Sequence, residues 1–122
     1  VLCNRNELQQ VLINLLVNAI QAMPEGGVLR ISAEDWDESD MPVGLRLVVA
    51  DSGAGISPED KVRLFKPFFT ANKADGTGLG LWVSQSLVER YGGRITVDSL
   101  PGRGTRFAVW LRFEPLMVER TA

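Results

Sequence analysis

At residues 45–55 the chain reads LRLVVADSGAG, an apolar segment that ends in an acidic, glycine-containing turn. Residues 45–51 are rich in aliphatic and β-branched side chains, which predicts a strand. Residues 51–55 (DSGAG) have the composition of a turn, because Asp and Gly favour reversals of the backbone. The sequence therefore predicts a strand that ends beside two glycines, where the backbone can approach another group closely.

Three further strands are predicted around this one. Residues 28–34 alternate loosely between apolar and polar side chains and predict a hairpin partner, with a polar connector over residues 37–44. Two more strands are predicted over residues 94–99 and 105–112, joined by the Pro-Gly-Arg-Gly turn of residues 101–104. Short connections of this kind favour antiparallel pairing.

The helices are predicted from apolar spacing and from signals at their ends. Residues 8–23 carry apolar side chains at helical intervals, and Asn4 with Glu7 resembles a capping box at their start. A short helix is predicted over residues 58–65 and a third over residues 81–91. With helices on one face of a mostly antiparallel sheet, the predicted fold is α+β, a two-layer α/β sandwich.

Length and composition restrict the class of protein. The 122 residues, 45% hydrophobic and 23% charged, predict one domain over residues 1–122 with a tail at 113–122. The chain has no histidine and only one cysteine, Cys3, which excludes an internal disulfide and the usual zinc sites. The net charge of −2 gives no general attraction to nucleic acid or anionic lipid. No apolar run approaches the ~20 residues of a membrane span, and the start has no signal-peptide pattern, so a cytoplasmic location is expected.

Asn14 and Asn18 lie four residues apart, so both amides project from one face of the first predicted helix. One interpretation is structural, with the amides hydrogen-bonded to neighbouring loops, as buried amides commonly are. The other is functional, because an amide oxygen is a suitable ligand for Mg²⁺, which takes its remaining ligands from water and phosphates.

Asp51 also has two interpretations. It can simply end the strand in a turn. Alternatively, its carboxylate accepts a hydrogen bond from an exocyclic amine such as adenine N6, while Gly53 and Gly55 let the backbone approach a flat ring.

Residues 69–80 predict a long loop, and residues 76–81 (GTGLGL) lead from it into a helix. Glycines there can turn successive amide N–H groups toward an anion, and the helix N-terminus adds partial positive charge. The pattern therefore favours a phosphate cradle, although a plain flexible loop fits the hexapeptide equally well. Lys73 could reach a terminal phosphate as a point charge or could face solvent.

Four motifs occur in a specific order: residues 14–19 (NLLVNA), 51–55, 65–69 (FKPFF) and 76–81. In this order they resemble the N, G1, F and G2 boxes of sensor histidine kinase catalytic domains. Gly102-Arg103-Gly104-Thr105 resembles the closing Gly-x-Gly-Thr turn of that family. The resemblance implies a Bergerat-type sandwich, an adenine pocket beside the second strand, and an ATP lid between the F and G2 boxes.

The resemblance also implies roles for individual residues. Asn18 would coordinate Mg²⁺, Asn14 would lie beside the triphosphate, Asp51 would hold adenine, and Lys73 would act in catalysis. The sequence departs from the commonest pattern at Gln21, where many members carry lysine, and in a lid one residue longer. The other expected nucleotide contacts are Gly53, Gly55, Ile56, Thr77, Gly78, Leu79, Gly80, Leu81 and Thr105.

Hydrolysing relatives in the wider superfamily have a glutamate four residues before the metal asparagine, where this chain has Asn14. An amide is not a usable base, so sustained ATP hydrolysis is disfavoured. In histidine kinases the phosphoryl group instead goes to a histidine on a separate helical dimerisation segment. We therefore expect a catalytic domain whose histidine-bearing segment precedes Val1, in a homodimeric parent kinase that serves a response regulator, with no nucleic-acid or direct membrane contact. An anti-sigma-factor-type serine kinase and a nucleotide-sensing module of similar fold are the alternatives.

Overall fold

A computed structural model describes residues 4–67 and 80–112. Among these residues, helices and strands alternate in an α+β order, and no helix has the length and apolar character needed to cross a membrane. The elements are α1 (Arg5–Gln21), β1 (Leu29–Glu38), β2 (Met41–Asp51), α2 (Pro58–Arg63), α3 (Gly80–Arg90), β3 (Arg94–Ser99) and β4 (Thr105–Arg112).

The four strands form one antiparallel sheet in the order β1-β2-β4-β3. α1 packs against β2, and α3 packs against β3 and β4. The core lies between the helices and this face of the sheet, where Val49 of β2 and Phe107 of β4 are neighbours in register. The predicted two-layer arrangement is therefore observed, and the predicted bounds of β3 and β4 are correct.

α1 buries one stripe of apolar residues, Val11, Leu15 and Ala19, at the predicted helical spacing. Its N-cap is Asn4, whose Oδ1 accepts from the backbone N–H groups of Asn6 and Glu7 at 2.9 and 3.2 Å.

The reciprocal half of the expected capping box is wrong. The Asn4 backbone N–H donates to the Tyr91 hydroxyl at 3.2 Å, and Tyr91 donates to the Glu7 carboxylate at 3.1 Å. Glu7 also pairs with Arg90 at 3.2 Å. The carboxylate thus connects the start of α1 to the end of α3 instead of closing back on its own helix.

The polar connector predicted over residues 37–44 is also wrong. β1 runs to Glu38 and β2 begins at Met41, so only Ser39 and Asp40 lie between them. Both have positive φ, 49° and 63°, as in the tight type I′ turn that matches the twist of a hairpin. Most of the predicted connector is therefore strand, because residues 37–38 end β1 and residues 41–44 begin β2.

The face of the sheet opposite the helices is covered by aromatic and arginine side chains. Trp36 and Trp110 meet edge to face at 5.4 Å between ring centroids, and Arg94 lies over Trp110 at 4.4 Å. Arg46 pairs with Glu34 on the same face. Under this layer Trp36 is only 6% exposed.

Candidate functional site

One end of the sheet gathers several of the predicted site residues. Asp51 ends β2, and Thr105 begins β4 directly opposite it in register. The chain then turns through residues 52–57, placing Ile56 in the core with its backbone N–H 2.8 Å from the Ser99 hydroxyl at the end of β3. The structure therefore brings Asp51, Ile56 and Thr105 to one edge.

Ser99 organises this edge. Its hydroxyl donates to the Gly104 carbonyl at 2.9 Å and lies 2.8 Å from the Thr105 hydroxyl. Because the single Ser99 proton is used on that carbonyl, Thr105 must donate to Ser99. Thr105 is only 5% exposed, and its contact with a nucleotide stays a prediction. Ser99 is not among the site residues predicted from the sequence. Its place at the end of the predicted strand 94–99, opposite Thr105 across the turn, is the signal that could have indicated it.

Asp51 adopts the turn geometry of the simpler interpretation. Its Oδ1 accepts from the Gly53 backbone N–H at 2.8 Å, which leaves Oδ2 without a hydrogen-bond partner in residues 4–67 and 80–112. The carboxylate is half-buried, so one oxygen shapes the turn and the other is available to a ligand.

The glycines of this turn are required by the protein's own backbone. A Cβ on Gly53 would overlap the Ala22 carbonyl at the end of α1. Gly55 has φ of 76°, and a Cβ there would overlap the Leu100 carbonyl. Their packing explains both glycines without a ligand, and their contact with adenine stays a prediction.

Asn14 joins the two long helices. Its Nδ2 donates to the Gly80 carbonyl at 3.1 Å and to the Ser84 hydroxyl at 3.0 Å, and its Oδ1 accepts from Gln10 at 2.9 Å. The local structural interpretation therefore describes the geometry, and the expected position beside a triphosphate stays a prediction.

Asn18 differs from Asn14. It is half-buried on the same face of α1, and its side-chain amide makes no hydrogen bond within the described part of the chain. Those residues contain no group of three or more His, Cys, Asp or Glu side chains that could hold a metal. An uncommitted amide oxygen fits the needs of Mg²⁺, which accepts a single protein ligand when phosphates and water supply the others.

Of the remaining predicted site residues, some lie within the described part of the chain and some lie outside it. Gly80 and Leu81 form the first turn of α3, with Leu81 packed against the core. The predicted lid lies outside the described residues, and so do Lys73, Thr77, Gly78 and Leu79.

Residues 3–115 match the family described as histidine kinase-, DNA gyrase B- and HSP90-like ATPases. The chain belongs to this family. That membership supports nucleotide binding, and the Bergerat-type sandwich predicted from the four motifs is confirmed.

Curated relatives place the chain among sensor histidine kinases. It is 46% identical over 106 residues to sensor histidine kinase ZraS of Escherichia coli, covering 87% of this chain and 22% of that protein. It is 46% identical to C4-dicarboxylate transport sensor protein DctB of Rhizobium meliloti, covering 89% of this chain and 17% of that protein. The chain thus corresponds to their ATP-binding catalytic part and spans only about a fifth of their length.

Solved structures of histidine kinases also resemble this chain. The catalytic domain of histidine kinase ThkA superposes with a TM-score of 0.78 at 36% identity, covering 93% of this chain and 70% of that one. The mycobacterial sensor histidine kinase MprB gives a TM-score of 0.78 at 29% identity, covering 93% and 74%. The interpretation as a histidine kinase catalytic domain, drawn from motif order, is confirmed.

Proposed function

We propose that this domain binds Mg-ATP at the Asp51 end of the sheet and transfers the γ-phosphoryl group to a histidine on a helical dimerisation segment of its parent kinase. The observation that carries the proposal is that the two carboxylate oxygens of Asp51 have different surroundings. One oxygen fixes the turn after β2, and the other is free to accept a hydrogen bond from adenine N6.

The triphosphate end of the site lies between α1 and α3. Asn18 on α1 offers an uncommitted amide oxygen to Mg²⁺, and α3 begins at Gly80 with its partial positive end. Bound Mg²⁺ would neutralise charge on the phosphates. Thr77, Gly78 and Leu79, with Lys73, are proposed to contact the phosphates from the segment before α3.

The donors around Asn14 favour transfer over hydrolysis. Both of its N–H groups are directed at α3, and its oxygen accepts from Gln10, so the Asn14 side chain cannot take a proton from water. In the proposed reaction a histidine ring nitrogen attacks the γ-phosphorus, the bond to the β–γ bridging oxygen breaks, and ADP leaves. The domain contributes mainly position and orientation.

The parent protein is proposed to be a homodimeric kinase that passes phosphate to a response regulator. We place this domain in the cytoplasm, without a role in nucleic-acid binding or direct membrane contact.

The test offers radiolabelled ATP and Mg²⁺ to the domain together with histidine-bearing helical segments, and separately with serine-bearing partner proteins. Acid-labile, base-stable label on histidine is expected. Acid-stable phosphoserine alone would show a serine kinase instead, and nucleotide binding with no transfer to either acceptor would indicate a sensing module.

A matched pair of variants connects transfer to the assigned metal ligand. Asn18→Ala should abolish Mg²⁺-dependent labelling, because the amide oxygen is lost. Asn6→Ala should label at the wild-type rate, because Asn6 is exposed at the other end of the same helix. Equal labelling by the two variants would contradict the role of Asn18.

A further inference from the structure

The Asn14 amide is oriented by its partners on α3. The Gly80 carbonyl can only accept, so the atom 3.1 Å from it must be the amide nitrogen. The second hydrogen of that nitrogen points at the Ser84 hydroxyl, 3.0 Å away. Both N–H groups of the Asn14 amide thus donate to the first two turns of α3.

Ser84 is an unusual residue for its position. It is completely buried, in the same stripe of α3 as Val88, where an apolar side chain would pack without a polar group to desolvate. A buried hydroxyl is costly unless it is hydrogen-bonded. Asn14 supplies that bond from the neighbouring helix.

We propose that Ser84 is a positioning residue for the triphosphate; this inference rests on the proposed function. Through Asn14 its hydroxyl fixes the first turn of α3 against α1. The amide oxygen of Asn18, one turn after Asn14, then keeps a constant spacing from the backbone N–H groups at the Gly80 end. Ser84 itself touches no substrate.

The adenine end of the site is held independently. Ile56 is held by the Ser99 hydroxyl, which also bonds to Thr105. Asp51 is held by the Gly53 backbone N–H and by its register with Thr105, and none of these contacts involves Ser84. Loss of the Ser84 hydroxyl should therefore weaken contacts to the β- and γ-phosphates and leave adenine contacts intact.

The experiment measures Kd by titration calorimetry for ATP and for AMP, both with Mg²⁺, in wild type, Ser84→Ala and Ser86→Ala. Ser86 is the matched control, because it lies on the same helix and its exposed hydroxyl donates to Trp82 of α3 itself at 2.9 Å. Ser84→Ala should raise the Kd for ATP about fivefold to tenfold, the size of one lost hydrogen bond. The Kd for AMP should stay within about twofold in both variants, and Ser86→Ala should bind ATP like wild type.

A purely structural role would give a different result. Ser84→Ala would then unfold at a lower temperature while the ratio of the ATP and AMP dissociation constants stayed at the wild-type value, and that outcome overturns the inference. It leaves the proposed function standing, since wild type would still bind ATP. Failure of wild type to bind ATP would instead overturn the proposed function.

A second variant covers the case in which Ser84→Ala does not fold. Asn14→Ala removes the same hydrogen bond from the half-buried α1 side. It should reproduce the selective loss of ATP affinity, and adding Ser84→Ala to it should cause little further loss. Independent, multiplicative effects of the two substitutions would contradict the link.

Discussion

Glycine occurs at this site for two different reasons. At Gly53 and Gly55 a side chain would overlap a carbonyl of the protein itself, so the fold requires glycine. At Gly80 the nearest atom to an added Cβ is Cγ of Asn14 at 3.6 Å, an ordinary contact, and φ is not positive. The described structure gives no packing reason for Gly80, and close approach of a phosphate would supply one.

Substitution separates these two kinds of glycine. Gly80→Ala should change the free energy of unfolding by less than about 1 kcal/mol, because alanine is tolerated in a helix. Its Kd for Mg-ATP should rise, since the new methyl group obstructs the phosphates. Gly55→Ala should lose about 1–2 kcal/mol of stability or more. Urea denaturation and calorimetry measure both quantities, and unchanged ATP affinity in Gly80→Ala would refute a phosphate contact there.

Asp51→Asn tests the adenine contact without disturbing the turn. The asparagine Oδ1 can still accept from the Gly53 N–H, as Asp51 does at 2.8 Å. Its amide group, however, would present a donor where adenine N6 also donates. We expect at least a tenfold weaker affinity for ATP, about 1.4 kcal/mol. Titration calorimetry that gives wild-type affinity, with unchanged urea unfolding, would remove Asp51 from the pocket.

At the scale of elements, the β1–β2 hairpin turns through residues that are poorly suited to it. Ser39 and Asp40 both adopt positive φ, which asparagine and glycine accept more readily than serine and aspartate. Replacing them together with Asn-Gly should raise the free energy of unfolding by about 0.5–1.5 kcal/mol. Urea denaturation measures the change. As a control, Arg103→Ala alters the exposed turn between β3 and β4 and should be neutral.

The same hairpin shows why part of the fold escaped prediction. β3 and β4 were predicted with correct bounds because their apolar residues alternate and Pro-Gly-Arg-Gly separates them. The second half of β1 carries Glu34, Asp35 and Asp37, so it appears polar, and the arginines that neutralise Glu34 come from β2 and β4. Pairing across strands is not visible in a local pattern.

For the candidate site, the sequence indicates residue types but not their hydrogen-bond partners. Motif order selects Asn14, Asn18 and Asp51 as candidates, and these residue types are chemically suited to metal and adenine; their roles stay predictions. The sequence could not reveal that the Asn14 amide donates to Gly80 and Ser84 of α3, or that the Ser99 hydroxyl accepts from the Ile56 backbone. Isolated serines in apolar stripes become informative only when their partners are known.

At the scale of the whole molecule, the two faces of the sheet differ in what packs on them. The helix face holds the core and, at the Asp51 end, the candidate site. The opposite face has no helix in the described part of the chain and is covered by Trp36, Trp110 and the arginines over them. Long arginine side chains shield the rings while keeping their charge in water.

This separation predicts that stability and nucleotide affinity can be changed independently. Trp36→Ala should lower the free energy of unfolding by about 3 kcal/mol, since a ring only 6% exposed is lost together with its cation–π and edge-to-face contacts. Ile31→Ala on the same strand should cost less than about 1 kcal/mol, because Ile31 is 59% exposed.

Neither variant should alter the Kd for Mg-ATP. Trp36 lies seven residues along β1 from Leu29, the partner of Asp51, which is roughly 23 Å at ~3.3 Å per residue. It also points to the face away from α1 and α3. Calorimetry at a temperature where both variants are folded measures the affinity. A loss of ATP binding in folded Trp36→Ala, with Ile31→Ala unaffected, would show that the two faces of the sheet are coupled.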